Sequence, residues 1–184
     1  MDNKCAPGVK YEEGSCIVYK DLKDIAKNFN IENPDSKINI NKPKNELVED
    51  LNREFNDKYK CDDQLCWLNQ KFVNRMDNDN LNKFTFKPTG PKTKYEWLST
   101  THINDVIDQY ENKHKNFSFL GAVPYDFQEL RELRMGKELD FDDLRGGKLN
   151  EDYKGNSRID KFGMVINLDP HYKGGSHWVS LYTD

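Results

Sequence analysis

This 184-residue chain is short of apolar residues: only 35% are hydrophobic, against 33% charged. No stretch approaches the roughly 20 consecutive apolar residues that a membrane-spanning helix needs. The first residues, Met1-Asp2-Asn3-Lys4-Cys5, lack the apolar run of a secretory leader. The reading that follows is a protein of a reducing compartment, in which all four cysteines stay thiols. There is also little net charge. At −4, with acids and bases well mixed, no global field draws the chain to nucleic acid or to an anionic membrane. Lys23, Lys27, Lys42 and Lys44 make a modest basic patch, but acidic residues interleave with them and a solvated face is the stronger reading. What is present is aromatic: Phe, Tyr and Trp are 12% of the chain and partly offset the lean aliphatic content.

Apolar spacing divides the chain in two. Leu22, Ile25, Ala26 and Phe29 predict a helix over Tyr19–Asn30, ended by Asn33-Pro34-Asp35. Leu47, Val48, Leu51 and Phe55 predict a second, from about Pro43 to Tyr59, and Cys66-Trp67-Leu68 with Phe72-Val73 a third short one. Polar residues 74–82 read as a loop, and Phe84-Thr85-Phe86 alternates like a short strand. The turn cluster Pro88-Thr89-Gly90-Pro91 sets the boundary, giving a helical module at 1–88 and a second region at 89–184.

In the second region, Ser99 or Thr100 caps a helix whose buried face is Ile103, Val106, Ile107 and Tyr110. A strand follows at Phe117–Val123, then a helix over Tyr125–Met135 and a surface loop over Asp140–Ser157. Phe162–Leu168 and His177–Tyr182 read as strands joined by a turn that holds Gly174-Gly175, an antiparallel hairpin. The fold class is α+β.

His177 opens the last strand directly after a glycine turn, so a rigid backbone lies beneath it. A lone histidine at a strand end is more often structural. Its company argues otherwise. Phe162-Gly-Met-Val-Ile-Asn-Leu-Asp-Pro followed by Gly-Gly-Ser-His-Trp-Val-Ser-Leu-Tyr resembles the histidine block of the SUMO/adenain-type (ubiquitin-like-protein) cysteine proteases. Tyr95-Glu96-Trp97-Leu98-Ser99 resembles that family's Trp-Leu helix start. Phe119-Leu120-Gly121-Ala122-Val123-Pro124-Tyr125-Asp126-Phe127 is similar to a segment of the core polyprotein proteases of large DNA viruses, of the asfarvirus and mimivirus kind. The three stand in family order over residues 95–184.

The resemblance implies a helical extension followed by the first part of a papain-like peptidase domain. It implies that His177 is the partner of a catalytic thiolate. It also implies that Trp97 and Trp178 roof a tunnel for a Gly-Gly tail, because only glycine is slim enough to pass between two indoles. An ordinary core aromatic remains the alternative for Trp97, whereas adjacency to His177 favours function for Trp178. Ser99 and Thr100 replace the Asn-Asp usual after Trp-Leu, so the substrate contact of that aspartate is in question.

The family order is His, then Asp or Asn, then Cys. Asp184 stands seven residues after His177, about 23 Å away along an extended strand and on its opposite face, which makes it a poor orienter. Cys5, Cys16, Cys61 and Cys66 all precede the protease-like region. They read as buried thiols packing the N-terminal helices. A four-thiolate zinc site is disfavoured by the ten residues between Cys5 and Cys16, and no metal or cofactor is assigned. The orienter and nucleophile are expected beyond residue 184, and the chain alone is expected to be inactive, with Val179 and Leu181 on an exposed edge. His171, in the turn, is expected to face solvent, and His102 and His114 receive no role. The expected substrate is a polypeptide with a Gly-Gly motif, a viral polyprotein or a ubiquitin-like protein. The alternatives are a non-catalytic peptide-binding module on a degenerate protease surface, and a helical adaptor for protein or nucleic acid.

Overall fold

A computed structural model describes residues 4–184 except 77, 79, 80, 82, 92, 94, 128 and 131–158. The chain divides into two compact units, Met1–Lys87 and Pro88–Asp184.

The first unit is helical, with α1 at Tyr19–Glu32, α2 at Lys44–Tyr59, α3 at Gln64–Leu68 and α4 at Lys71–Asn74. The apolar residues that predict α1 and α2 are the ones these helices bury, Leu22, Ile25, Ala26 and Phe29 on one and Leu47, Val48, Leu51 and Phe55 on the other. Their faces meet around an aromatic cluster. The Phe55 ring lies 5.2 Å from both Phe29 and Trp67, with Phe72 at 5.8 Å. Truncating one of these rings to Ala would cost about 3–5 kcal/mol, the usual range for a core aromatic. Asn30 ties the α1–α2 connection down, donating to the carbonyl of Ile38 and accepting from its backbone N–H. Asp63 caps α3 by accepting from the Cys66 N–H. Phe84-Thr85-Phe86 forms no strand. Phe86 makes one isolated antiparallel bridge to Cys5.

Two disulfides, Cys5–Cys16 and Cys61–Cys66, each with Cα atoms 5.4 Å apart, correct the expectation of four thiols. Cys5 is held beside Phe86, and turns at Ala6–Val9 and Glu12–Ser15 bring the chain back to Cys16, so their distance in sequence misleads. With every sulfur paired, the zinc reading of these cysteines also fails.

The second unit is a helix on a three-stranded sheet: α5 (Thr100–Lys113), β1 (Phe117–Pro124), β2 (Lys161–Asn167) and β3 (Trp178–Thr183), in the sheet order β1-β2-β3. β1 and β2 are parallel, and β2 and β3 form the antiparallel hairpin that the alternation predicts. Leu120, Val123 and Met164 make a small core, with Phe127, Phe162 and Ile166 against it. The helix predicted from Tyr125 is a tight 3₁₀ turn at Phe127, Glu129 and Leu130, and the remainder of that helix and the loop predicted over 140–157 lie outside the described residues.

The predicted buried face of α5 is also corrected. Val106 and Tyr110 are exposed, Ile103 and Ile107 are half-buried, and the buried residues are Gln109 and Glu111. The reason lies in β1. Its pairing slips between Phe119 and Ala122, at a bulge where Gly121 takes φ +108°. A bulge leaves N–H groups without ladder partners, and α5 supplies acceptors. Asn104 Oδ1 accepts from the Ala122 N–H at 3.0 Å, and Glu111 Oε1 from the Phe119 N–H at 3.4 Å. Satisfying buried backbone donors outweighs burying Val106 and Tyr110 on this side of the helix.

Candidate functional site

His177 stands at the last position before β3, exposed, with its carbonyl accepting the Leu168 N–H at 2.9 Å. That bond closes the base of the β2–β3 turn, next to the paired residues Asn167 and Trp178. Asn167 is buried and organises the turn from inside, its Oδ1 accepting the Asp169 N–H at 2.9 Å. Gly175 lies directly over the Asn167 side chain with φ +81°, and a Cβ there would stand 2.6 Å from Nδ2. The glycine is thus required by both backbone and space. Its neighbour Gly174 faces open space.

A second tether reaches the turn from the end of β1. Asp126, itself buried, accepts from the backbone N–H of His171 at 2.9 Å and meets its Nδ1 at 2.8 Å. Burial pushes the Asp126 carboxyl up, but the ring and backbone bonds from His171 outweigh it and hold the group below its ordinary range. His171 is exposed, as its place in the turn predicts, with 40% of its side chain accessible, while one ring nitrogen is engaged by Asp126. The signal was present in the sequence. Asp126 belongs to the Phe119–Phe127 segment that carries the family resemblance, although its partner 45 residues away cannot be read from that segment.

Trp97 and Trp178 lie in the same unit as His177. Trp178, half-buried, donates its indole N–H to the carbonyl of Leu98 at 3.1 Å. This joins the strand that His177 precedes to the residue next to Trp97. Trp97 is 65% exposed, so the core reading left open for it does not hold. From Leu98 the chain enters α5 through a capping box: Ser99 Oγ accepts the His102 N–H, and His102 Nδ1 accepts the Ser99 N–H, both at 3.2 Å. His102, given no role from sequence, fixes the start of the helix and so the exit of the Trp97-Leu98 arm.

The arrangement offers an imidazole on a braced turn and an exposed indole on an arm joined to the next strand. It offers no thiolate, since the four cysteines are in the other unit and all are oxidised. No group of three or more His, Cys, Asp or Glu suited to a metal ion occurs among the described residues. No described helix is long and apolar enough to cross a membrane.

No family model matches the chain. It is 30% identical over 150 residues, 80% of its length, to the protein named "Putative thiol protease R355" of Acanthamoeba polyphaga mimivirus. The chain spans 46% of that relative, about half of its length. Among solved structures it aligns with the ASFV pS273R protease at 19% identity and a TM-score of 0.47, covering 74% of this chain and 54% of that one. By sequence, the chain is thus similar to part of a viral protein named as a putative thiol protease.

Proposed function

We propose that this chain is the histidine-bearing part of a papain-like cysteine endopeptidase that cuts after Gly-Gly in viral polyprotein processing. His177 is the general base and ion-pair partner of the nucleophilic thiol. Trp97 and Trp178 flank the glycines that precede the scissile bond. The thiolate attacks the glycyl carbonyl, donors of an oxyanion hole take the developing charge, and the amine leaves with a proton from the imidazolium. Water then releases the acyl group and regenerates the thiol.

One observation carries most of this reading: the Trp178 indole is bonded to the Leu98 carbonyl. It joins the Trp97 arm to the strand that follows His177, so two separate motifs of the sequence belong to one locality. The sequence relationship to a viral thiol protease supports the same chemistry. The nucleophile, its oxyanion donors and the orienter of His177 would be supplied by polypeptide other than these residues, and the chain alone would cut nothing, since its cysteines are paired in the other unit. The helical unit is an extension ahead of the catalytic region, and its two disulfides count against the reducing compartment, host cytoplasm or virion, expected from sequence.

The test is a thiol-reactive Gly-Gly probe applied to the longer polypeptide. The probe should label it, and His177→Ala should abolish labelling. Absence of labelling in the unsubstituted protein sinks the reading. The second reading, a surface that holds a Gly-rich peptide without cutting it, draws on the exposure of Val179, Leu181 and Tyr182 along β3. It predicts saturable binding of a Gly-Gly peptide with no covalent product.

A further inference from the structure

The Asp126–His171 pair lies outside the roles assigned above, and its position gives it one. Asp126 follows the end of β1 by two residues, and His171 lies in the turn between β2 and β3. Asp126 engages both the main chain and the ring of His171, through two different carboxylate oxygens. A carboxylate that accepts two bonds from one residue fixes where that residue is and how its ring is turned. The same turn is held at its base by the Leu168–His177 backbone bond and from within by Asn167 under Gly175. The free span from the latched residue to His177 is therefore short, and it contains Gly174 and Gly175, which on their own leave the backbone loose.

We propose that Asp126 is a positioning residue for His177: by gripping the backbone and ring of His171, it fixes the turn on whose last residue His177 stands. Asp126 touches no reacting atom. It acts through the turn, as the buried carboxylate behind a functional loop. Its importance for catalysis rests on the peptidase reading, but its effect on the His177 turn does not, and the two are tested separately.

The test is made on this chain, isotopically labelled, with the ring resonances of its four histidines assigned by substitution. Asp126→Ala should move the His177 ring cross-peak and speed exchange of the Leu168 amide about tenfold, while amides in the middle of the β2–β3 ladder keep their rates. Asp126→Asn, whose amide oxygen still accepts from the backbone N–H and whose NH2 can donate to the neutral ring at Nδ1, should restore most of both. A merely stabilising contact would raise exchange across the whole ladder and leave the His177 peak in place, and that result overturns the proposal. If Asp126→Ala unfolds the unit, His171→Ala carries the same measurement, because the backbone bond to Asp126 survives it. An unmoved His177 peak in His171→Ala also overturns the proposal. If the turn responds but the Gly-Gly probe never labels the longer polypeptide, the peptidase reading has failed and the latch has not.

Discussion

Trp178 and Leu98 are 80 residues apart in sequence and meet through a single bond, indole N–H to carbonyl. That bond is accessible to solvent, so its loss exposes the Leu98 carbonyl to water and leaves it partnered. Trp178→Phe should therefore cost only about 0.5–1.5 kcal/mol of stability. The larger effect is local: limited proteolysis between Tyr95 and Leu98 should be faster in the variant than in the parent.

Trp97 provides the contrast. Its side chain is mostly in water, so Trp97→Ala should change the melting transition by no more than about 0.5 kcal/mol. The same substitution should weaken capture of a Gly-Gly peptide at least several-fold. Unchanged capture in a titration followed by fluorescence would remove Trp97 from the site.

Two adjacent glycines should answer differently to one methyl group. Gly175→Ala forces a left-handed backbone on alanine and drives Cβ into the Asn167 amide, for a loss of about 1–3 kcal/mol. Gly174→Ala meets open space and should be close to neutral. Urea midpoints of the two variants, measured side by side, check this.

The Asp126 carboxyl is held below its ordinary 3.8 in the folded chain. A carboxyl lowered on folding adds stability above that ordinary value and gives it up as pH falls through the folded one. Resistance to urea, read by hydrogen exchange at sheet amides, should drop as pH falls below the ordinary 3.8, and Asp126→Asn should flatten the drop. Asp50, lowered by Lys42 and Arg53 against its own desolvation, gives the helical unit a slope of the same sign. The sheet amides separate the two.

Thiol titration of the denatured, unreduced chain should find no free cysteine. Reduction should cost the helical unit about 2–4 kcal/mol for the disulfide between Cys5 and Cys16. Four reactive thiols in freshly isolated protein would overturn both disulfides.

The elements that sequence reveals here are those governed by local periodicity. The faces of α1 and α2 follow from apolar spacing residue by residue, and alternation reveals the β2–β3 hairpin. The failures share a cause: each depends on a partner distant in sequence. Val106 and Tyr110 look like a core stripe until the bulge in β1 is known to need Asn104 and Glu111. His171 is the exposed turn residue that the sequence implies, but its bond to Asp126 cannot be read from the turn. Cys5 and Cys16 look too widely spaced for a common purpose until the hold of Phe86 on Cys5 and the turns between the two cysteines are known. At the site, the motifs mark His177, Trp97 and Trp178, while the bond that joins two of their segments uses a backbone carbonyl, which has no signature in sequence.

The parallel pairing of β1 with β2 also fixes an order of assembly. The β2–β3 hairpin closes a short turn, an event of microseconds. β1 reaches β2 only by closing the far longer loop marked by Asn116 and Asp160, 44 residues apart, at an additional entropic cost of about 1 kcal/mol. His177 thus acquires its strand early in folding. The carboxylate proposed to steady its turn arrives with the later, longer closure.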